Sequence, residues 1–183
     1  SNEKLDLVRS FVEQGGGLVA TEFTSLYTEW RERESDFGLK DLFKVNPPDW
    51  NGRSSQESVL NIPIQRNQIG RGKVVYIPEV RPSLPKPLTA AMTSLYWKLP
   101  VNWKELIESV KWASGNRLSI SIEAPLTVTM ELVQKADISA MILHLLNFNY
   151  RNSPVKNIKV DIRVPEGKKV TQVIVMTPDG SND

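Results

Sequence analysis

A chain of 183 residues with no cysteine, a single histidine and a net charge of +2 excludes several functions before any motif is read. Disulfides, thiolate metal sites and a cysteine nucleophile are ruled out, and one histidine cannot build a histidine-rich metal site. The near-neutral balance provides no global field for nucleic acid or an anionic membrane surface, and no apolar run approaches the roughly 18–20 residues of a spanning helix.

Leu5, Val8 and Val12, with Leu7 and Phe11 beside them, recur at helical spacing. Asn2 is placed to cap this helix, and Gly15 is placed just past its end, where a left-handed residue is needed. Leu18, Val19 and Ala20 then form a continuous apolar run, the pattern of a strand buried on both faces of a parallel sheet. Ligands of open α/β sheets bind beyond the carboxyl ends of the strands, which makes Thr21 and Glu22 candidate ligand-binding residues. The bland alternative is that Thr24 or Ser25 caps a helix over residues 26–33 and Glu22 is merely solvated. Residues 37–45 read as a short amphipathic helix with Leu39, Leu42 and Phe43 on one stripe, ended by Asn46-Pro47-Pro48.

A polar surface loop follows at 49–57, and residues 59–64 contain Pro63 and qualify only as an edge strand. Gly70-Arg71-Gly72 precedes the apolar run 73–77; a phosphate loop would follow a strand and open a helix, so a hairpin turn is expected. Four prolines between 78 and 87 make a stiff connector, and a helical stretch is expected over 88–97. Asn102 and Glu105 fit a capping box for a helix whose apolar face is Trp103, Leu106, Ile107 and Val110, with Gly115 as its stop.

From Arg117 onward the hydrophobic period changes to two. Residues 118–123, 128–132 and 158–164 alternate as half-buried strands, 141–148 is apolar enough for a central strand, and 170–176 supplies the last. Pro165-Glu166-Gly167 marks a tight turn, and the whole pattern is that of a small antiparallel β-sandwich.

Little in the chain carries chemistry. His144 lies within an apolar strand and reads as a hydrogen-bonded core or strand-end residue; there is no GxSxG elbow to partner it. Glu22, Glu29, Asp36 and Asp41 are close in sequence, but nothing places two of them across a cleft as glycosidase chemistry requires. The five tryptophans raise sugar stacking as an option beside core packing. Trp103 faces the apolar side of its helix, and Trp112, half a turn away, either packs or is exposed. Trp50, in a proline-flanked polar loop, is the leading candidate for an exposed platform, with Trp30 the second.

The helix-GlyGly-LeuValAlaThr stretch, the later TyrThrGluTrp, the 37–45 segment and Gly72-Lys73-Val74-Val75-Tyr76-Ile77-Pro78 resemble, in order, the glutamine-amidotransferase-like domain of many bacterial glycoside hydrolases, called the trimerisation domain in β-galactosidases. Residues 143–149, 157–165 and 173–179 resemble strands of the β-domain that follows it there. Lys44 stands where that family commonly has glycine, and Thr21-Glu22-Phe23 stands where an amidotransferase would carry its cysteine. The resemblance therefore implies no amidotransferase activity; it implies a role in subunit contact and in shaping the mouth of a catalytic barrel carried elsewhere.

Together these readings predict an α/β segment followed by an all-β one: a partial flavodoxin-like or amidotransferase-like sheet with helices over 1–100, then a helix and small antiparallel β-sandwich over 101–183. The chain starts without Met and reads as a C-terminal fragment of a longer protein. The expected function is a non-catalytic accessory one, with a carbohydrate-binding module as the alternative. No cofactor or metal is expected. The expected partners are other domains or subunits of the parent enzyme, carbohydrate, or a second copy in a homo-oligomer, and neither nucleic acid nor membrane.

Overall fold

A computed structural model describes residues 2–47, 63–85, 98–135, 139–149 and 154–177. The chain divides into two compact units, Ser1–Arg117 and Leu118–Asp183.

The first unit is built on a three-stranded sheet of order β1-β3-β2: β1 Gly17–Thr21, β2 Gln65–Ile69 and β3 Gly72–Ile77. β3 runs parallel to β1, with Ala20 opposite Tyr76, and antiparallel to β2, with Asn67 opposite Val74. Alternation along β3 divides its side chains between two cores. Val74 and Tyr76 join Val12 of helix α1 (Asn2–Glu13), Ala20, Leu26, Phe37, Leu39, and Leu42 and Phe43 of the short helix α2 (Lys40–Phe43). Val75 and Ile77 face the other way, against Ala113 of helix α3 (Trp103–Ala113), with Val19, Leu106 and Trp112 packed around them. The sheet is thus covered on both faces, as the apolar runs of β1 and β3 require. In the first core, Phe37, Phe43 and Tyr76 form an aromatic triad with centroids 5.0–5.4 Å apart, each pair contributing about 0.5–1.5 kcal/mol beyond area burial.

The helix ends follow their glycines. Gly15, at φ +112°, donates to the Val12 carbonyl, and Gly16 donates to that of Phe11. These are the two bonds of a Schellman stop. α3 ends in the same way, with Gly115 donating to Trp112 and Asn116 to Lys111. α1 is tied to α2 by Arg9, whose Nε and Nη2 reach Asp41 at 2.9 and 3.0 Å while Nη1 reaches Asp6 at 2.9 Å. This fork holds the Asp41 carboxyl below its ordinary range, through the hydrogen bonds from Arg9 first and its charge second.

Several expectations are corrected. Residues 26–33 are not a helix: they make turns and an isolated antiparallel bridge between Tyr27 and Arg33. The 37–45 helix shrinks to four residues, stopped by Lys44 in the left-handed conformation rather than by the prolines. Pro63 and Ile64 lie outside any strand, and the edge strand is instead the polar stretch Gln65–Ile69, stabilised by its ladder to β3 and by Asn67, whose amide donates to the Leu42 and Phe43 carbonyls at the end of α2. Gly70 and Arg71 form the expected hairpin turn. α3 packs within the first unit, whereas the sequence reading placed it at the head of the second. It is also rotated from the expected face. Ile107 and Val110 are exposed, while Ser109 is fully buried with its hydroxyl donating to the Glu105 carbonyl. The 59–62 and 88–97 segments lie outside the described residues.

The second unit consists, among the described residues, of two antiparallel ladders: β4 (Ile120–Glu123) with β7 (Lys159–Ile162), and β5 (Val128–Lys135) with β6 (Ala140–Asn147). Pro165 accepts a hydrogen bond from Lys168 across a turn with Gly167 at φ +74°. β6 is not a buried central strand. Its Leu145 and Leu146 are 40% and 56% exposed, and His144, opposite Glu131, is exposed instead of buried. Residues 170–176 form no strand. The fold is therefore of mixed α and β content, without a closed barrel among the described residues.

Gly72→Ala should destabilise the first unit by about 1–3 kcal/mol or more, because the added Cβ would collide with the backbone carbonyls of Val12 and Gly16; urea denaturation followed by tryptophan fluorescence measures it. Asp41→Asn should be less stable than the parent near neutral pH, by a modest amount because Asp41 is half exposed. A depressed carboxyl pKa stabilises above the unfolded value, 3.8, and that contribution is lost as pH falls through the folded value. The gap between the two proteins should therefore close on acidification below about pH 4, and a gap that does not close refutes the pairing.

Candidate functional site at the carboxyl end of the parallel pair

β1 and β3 are parallel and in register, Thr21 lying opposite Ile77, so their carboxyl ends open on the same side of the first unit. Two segments leave from there: a long loop from Glu22 to the start of α2, and the connector beginning at Pro78. Open α/β sheets bind ligands at this end.

Glu22 organises the junction. Its backbone N–H donates to the Ile77 carbonyl at 2.9 Å, extending the β1–β3 ladder by one bond. Its carbonyl accepts from the Tyr76 hydroxyl at 2.8 Å, and its carboxylate Oε1 accepts from the Val80 N–H at 3.0 Å. Burial, and secondarily the Glu22 charge, push the Tyr76 phenol up to about 12, so it stays a neutral donor. Glu22 is therefore half-buried and engaged, not merely solvated. It adopts this arrangement at φ +48°, a left-handed conformation that costs a residue with a side chain about 1–3 kcal/mol. Thr21 is half-buried, and Thr24 folds back on it: the Thr24 hydroxyl donates to the Thr21 carbonyl at 2.7 Å and accepts from its N–H at 3.3 Å.

The connector is held from the other side by Asn102. This buried amide donates to the Glu79 carbonyl at 2.8 Å and accepts from the Arg81 N–H at 3.0 Å. It sits at the N-cap of α3 but makes no side-chain cap, and Glu105 does not complete a capping box; its carboxylate lies 3.6 Å from the Arg81 guanidinium. The polar side chain expected to serve the helix serves the connector instead.

The loop after Glu22 closes on itself. The Ser25 carbonyl accepts from Gly38, and its hydroxyl accepts from Leu39 at the start of α2. Within the loop, Arg31 donates to the Thr28 carbonyl at 3.0 Å and Thr28 donates to the Glu32 carbonyl at 2.8 Å, with Arg31 at φ +62°. This is a three-residue hairpin: a tight turn followed by a left-handed residue. The Thr28 hydroxyl accepts from the Glu32 N–H at 3.1 Å and stiffens it. Trp30 stands at the tip, 81% exposed, and Tyr27 at the base is 46% exposed.

Of the residues singled out from the sequence, Thr21 and Glu22 are thus brought to the expected place and Trp50 lies outside the described residues. The hairpin around Trp30 was missed, because its left-handed position is held by arginine where glycine or asparagine would have advertised a turn. Among the described residues there is no cluster of His, Cys, Asp or Glu able to hold a metal ion, and no helix is long and apolar enough to cross a membrane.

Glu22→Ala leaves the Val80 N–H without its acceptor and should cost about 1–3 kcal/mol, whereas Glu22→Gln keeps an oxygen at that position and should cost clearly less. Equal losses in chemical denaturation would show that the Val80 bond is not what Glu22 contributes.

Comparison of the chain with protein-family models, with curated proteins and with solved structures finds no match in any of the three.

Proposed function

We propose that this chain is a non-catalytic accessory module of a bacterial glycoside hydrolase, serving subunit association and framing a sugar-cleaving barrel carried elsewhere in the parent protein. One observation carries the reading. Every buried residue among those described belongs to the first unit; none belongs to the second. There, the β5–β6 ladder places Val128, Met130 and Leu132 on one face beside Leu143 and Leu145, and Met130 and Leu145, directly opposite each other, are 44% and 40% exposed. A ladder with exposed apolar side chains is stabilised when another layer covers them, and the proposed cover is polypeptide from the parent assembly. On this reading the three-stranded sheet is part of an amidotransferase-like doubly wound sheet, and the two ladders are parts of an antiparallel sandwich. The engagement of Glu22 with backbone partners supports a non-catalytic role, since its best-placed oxygen already holds the connector.

Sedimentation of the full chain tests the association. The expected result is a concentration-dependent oligomer that the double variant Met130→Lys, Leu145→Lys disrupts while the far-ultraviolet dichroism is retained. A monomer at every concentration from micromolar to near-millimolar, or an oligomer indifferent to the double variant, defeats the reading. Carbohydrate binding is the second reading, favoured by the exposure of Trp30 at its hairpin tip.

A further inference from the structure

We propose that the hairpin of residues 27–33 is a carbohydrate contact in which the indole face of Trp30 receives a single pyranose ring. The inference does not rest on the accessory role above. Three observations point to it. The hairpin lies on the loop leaving the carboxyl end of β1, where the parallel pair opens. Trp30 is 81% exposed yet mounted on a stiff base: two backbone bonds of 2.8 and 3.0 Å and the Thr28 hydroxyl fix the turn. A turn already fixed by its own bonds lowers the ordering cost of a weak ligand. Around it, Glu29, Arg31 and Glu32 are all exposed and supply both acceptors and donors for sugar hydroxyls.

The size of the patch selects the occupant. A protein partner needs about 800 Å² from each side. Phe23, Tyr27 and Trp30 are 38%, 46% and 81% exposed; with side chains of about 150–250 Å² each, their aromatic surface is at most about half of that. Charge excludes a nucleic-acid strand: Glu29, Glu32 and Glu34 outnumber Arg31 and Arg33. Phe23 and Tyr27 meet edge-to-face at 74° and present no shared plane, so the stacking surface is that of Trp30 alone. A neutral sugar ring, apolar on its C–H face and ringed by hydroxyls, matches an exposed indole bordered by carboxylates and a guanidinium.

The test is isothermal titration of the full chain with cellohexaose, xylohexaose, mannohexaose and β-1,4-galactan oligosaccharides. At least one is expected to bind in the millimolar range or tighter, with Trp30→Ala weakening it about tenfold or more and Trp30→Phe retaining part of the affinity. Because Trp30 is largely exposed, the alanine variant should keep its fold, which circular dichroism verifies. No heat with any of the four sugars overturns the proposal. So does sugar binding that Trp30→Ala leaves intact, or a Trp30→Ala variant whose only change is loss of self-association, which would make the hairpin a protein contact.

Discussion

The structure of the first unit depends on β3 being buried on both faces. A strand with four consecutive side chains at or near zero exposure, Val74 to Ile77, must find two apolar layers, and it does so by pulling α1, α2 and the loop between β1 and α2 to one side and α3 to the other. Tyr76 links this constraint to the edge of the fold. Its ring stacks on Phe43 at 5.0 Å while its hydroxyl emerges at the carboxyl end to hold the Glu22 carbonyl. A single side chain thus anchors the deepest core and fixes the place where the backbone turns out of the sheet.

The carboxyl end of the parallel pair is correspondingly over-determined. Glu22, Asn102 and the Thr21–Thr24 pair satisfy backbone groups in the two segments that leave this end of the sheet. The half-buried backbone groups of such segments must find partners one by one. The left-handed backbone at Glu22 is offset by the ladder bond, the phenol and the Val80 contact that converge on that residue. At the carboxyl end of β1, Glu22 holds the scaffold through its N–H, its carbonyl and its carboxylate.

What was legible in the sequence follows from which signals are local. Gly15 and Gly115 marked their helix ends because left-handed geometry is a property of one residue. The 18–20 and 73–77 runs announced strands because both faces are covered, and Thr21 and Glu22 were placed correctly once the parallel strand was recognised. The misses share the opposite character. Gln65–Ile69 is a strand only because β3 supplies its ladder and α2 accepts its Asn67 amide. α3 turns Ser109 inward, against the hydrophobic pattern, because the serine hydroxyl finds the Glu105 carbonyl within its own helix. Residues 26–33 have enough helical spacing to mislead, but Thr28 and Ser25 compete for backbone groups and favour turns. The exposure of β6 was invisible for the reverse reason: its composition announces burial, and the described residues provide no layer to deliver it.

That last mismatch has its sharpest form at Val170-Thr171-Gln172-Val173-Ile174-Val175-Met176. The stretch carries no charge, no proline and no glycine, is rich in β-branched residues, and lies outside any ladder with Val173 and Met176 about four-fifths exposed. These are the attributes of a steric-zipper segment. Lys168 and Lys169, immediately before it, act as gatekeepers, since stacking identical strands in register would stack their ammonium groups as well. The two lysines thus put a charge barrier against fibril growth beside the segment whose composition most favours it, and neutralising them would leave that composition unopposed.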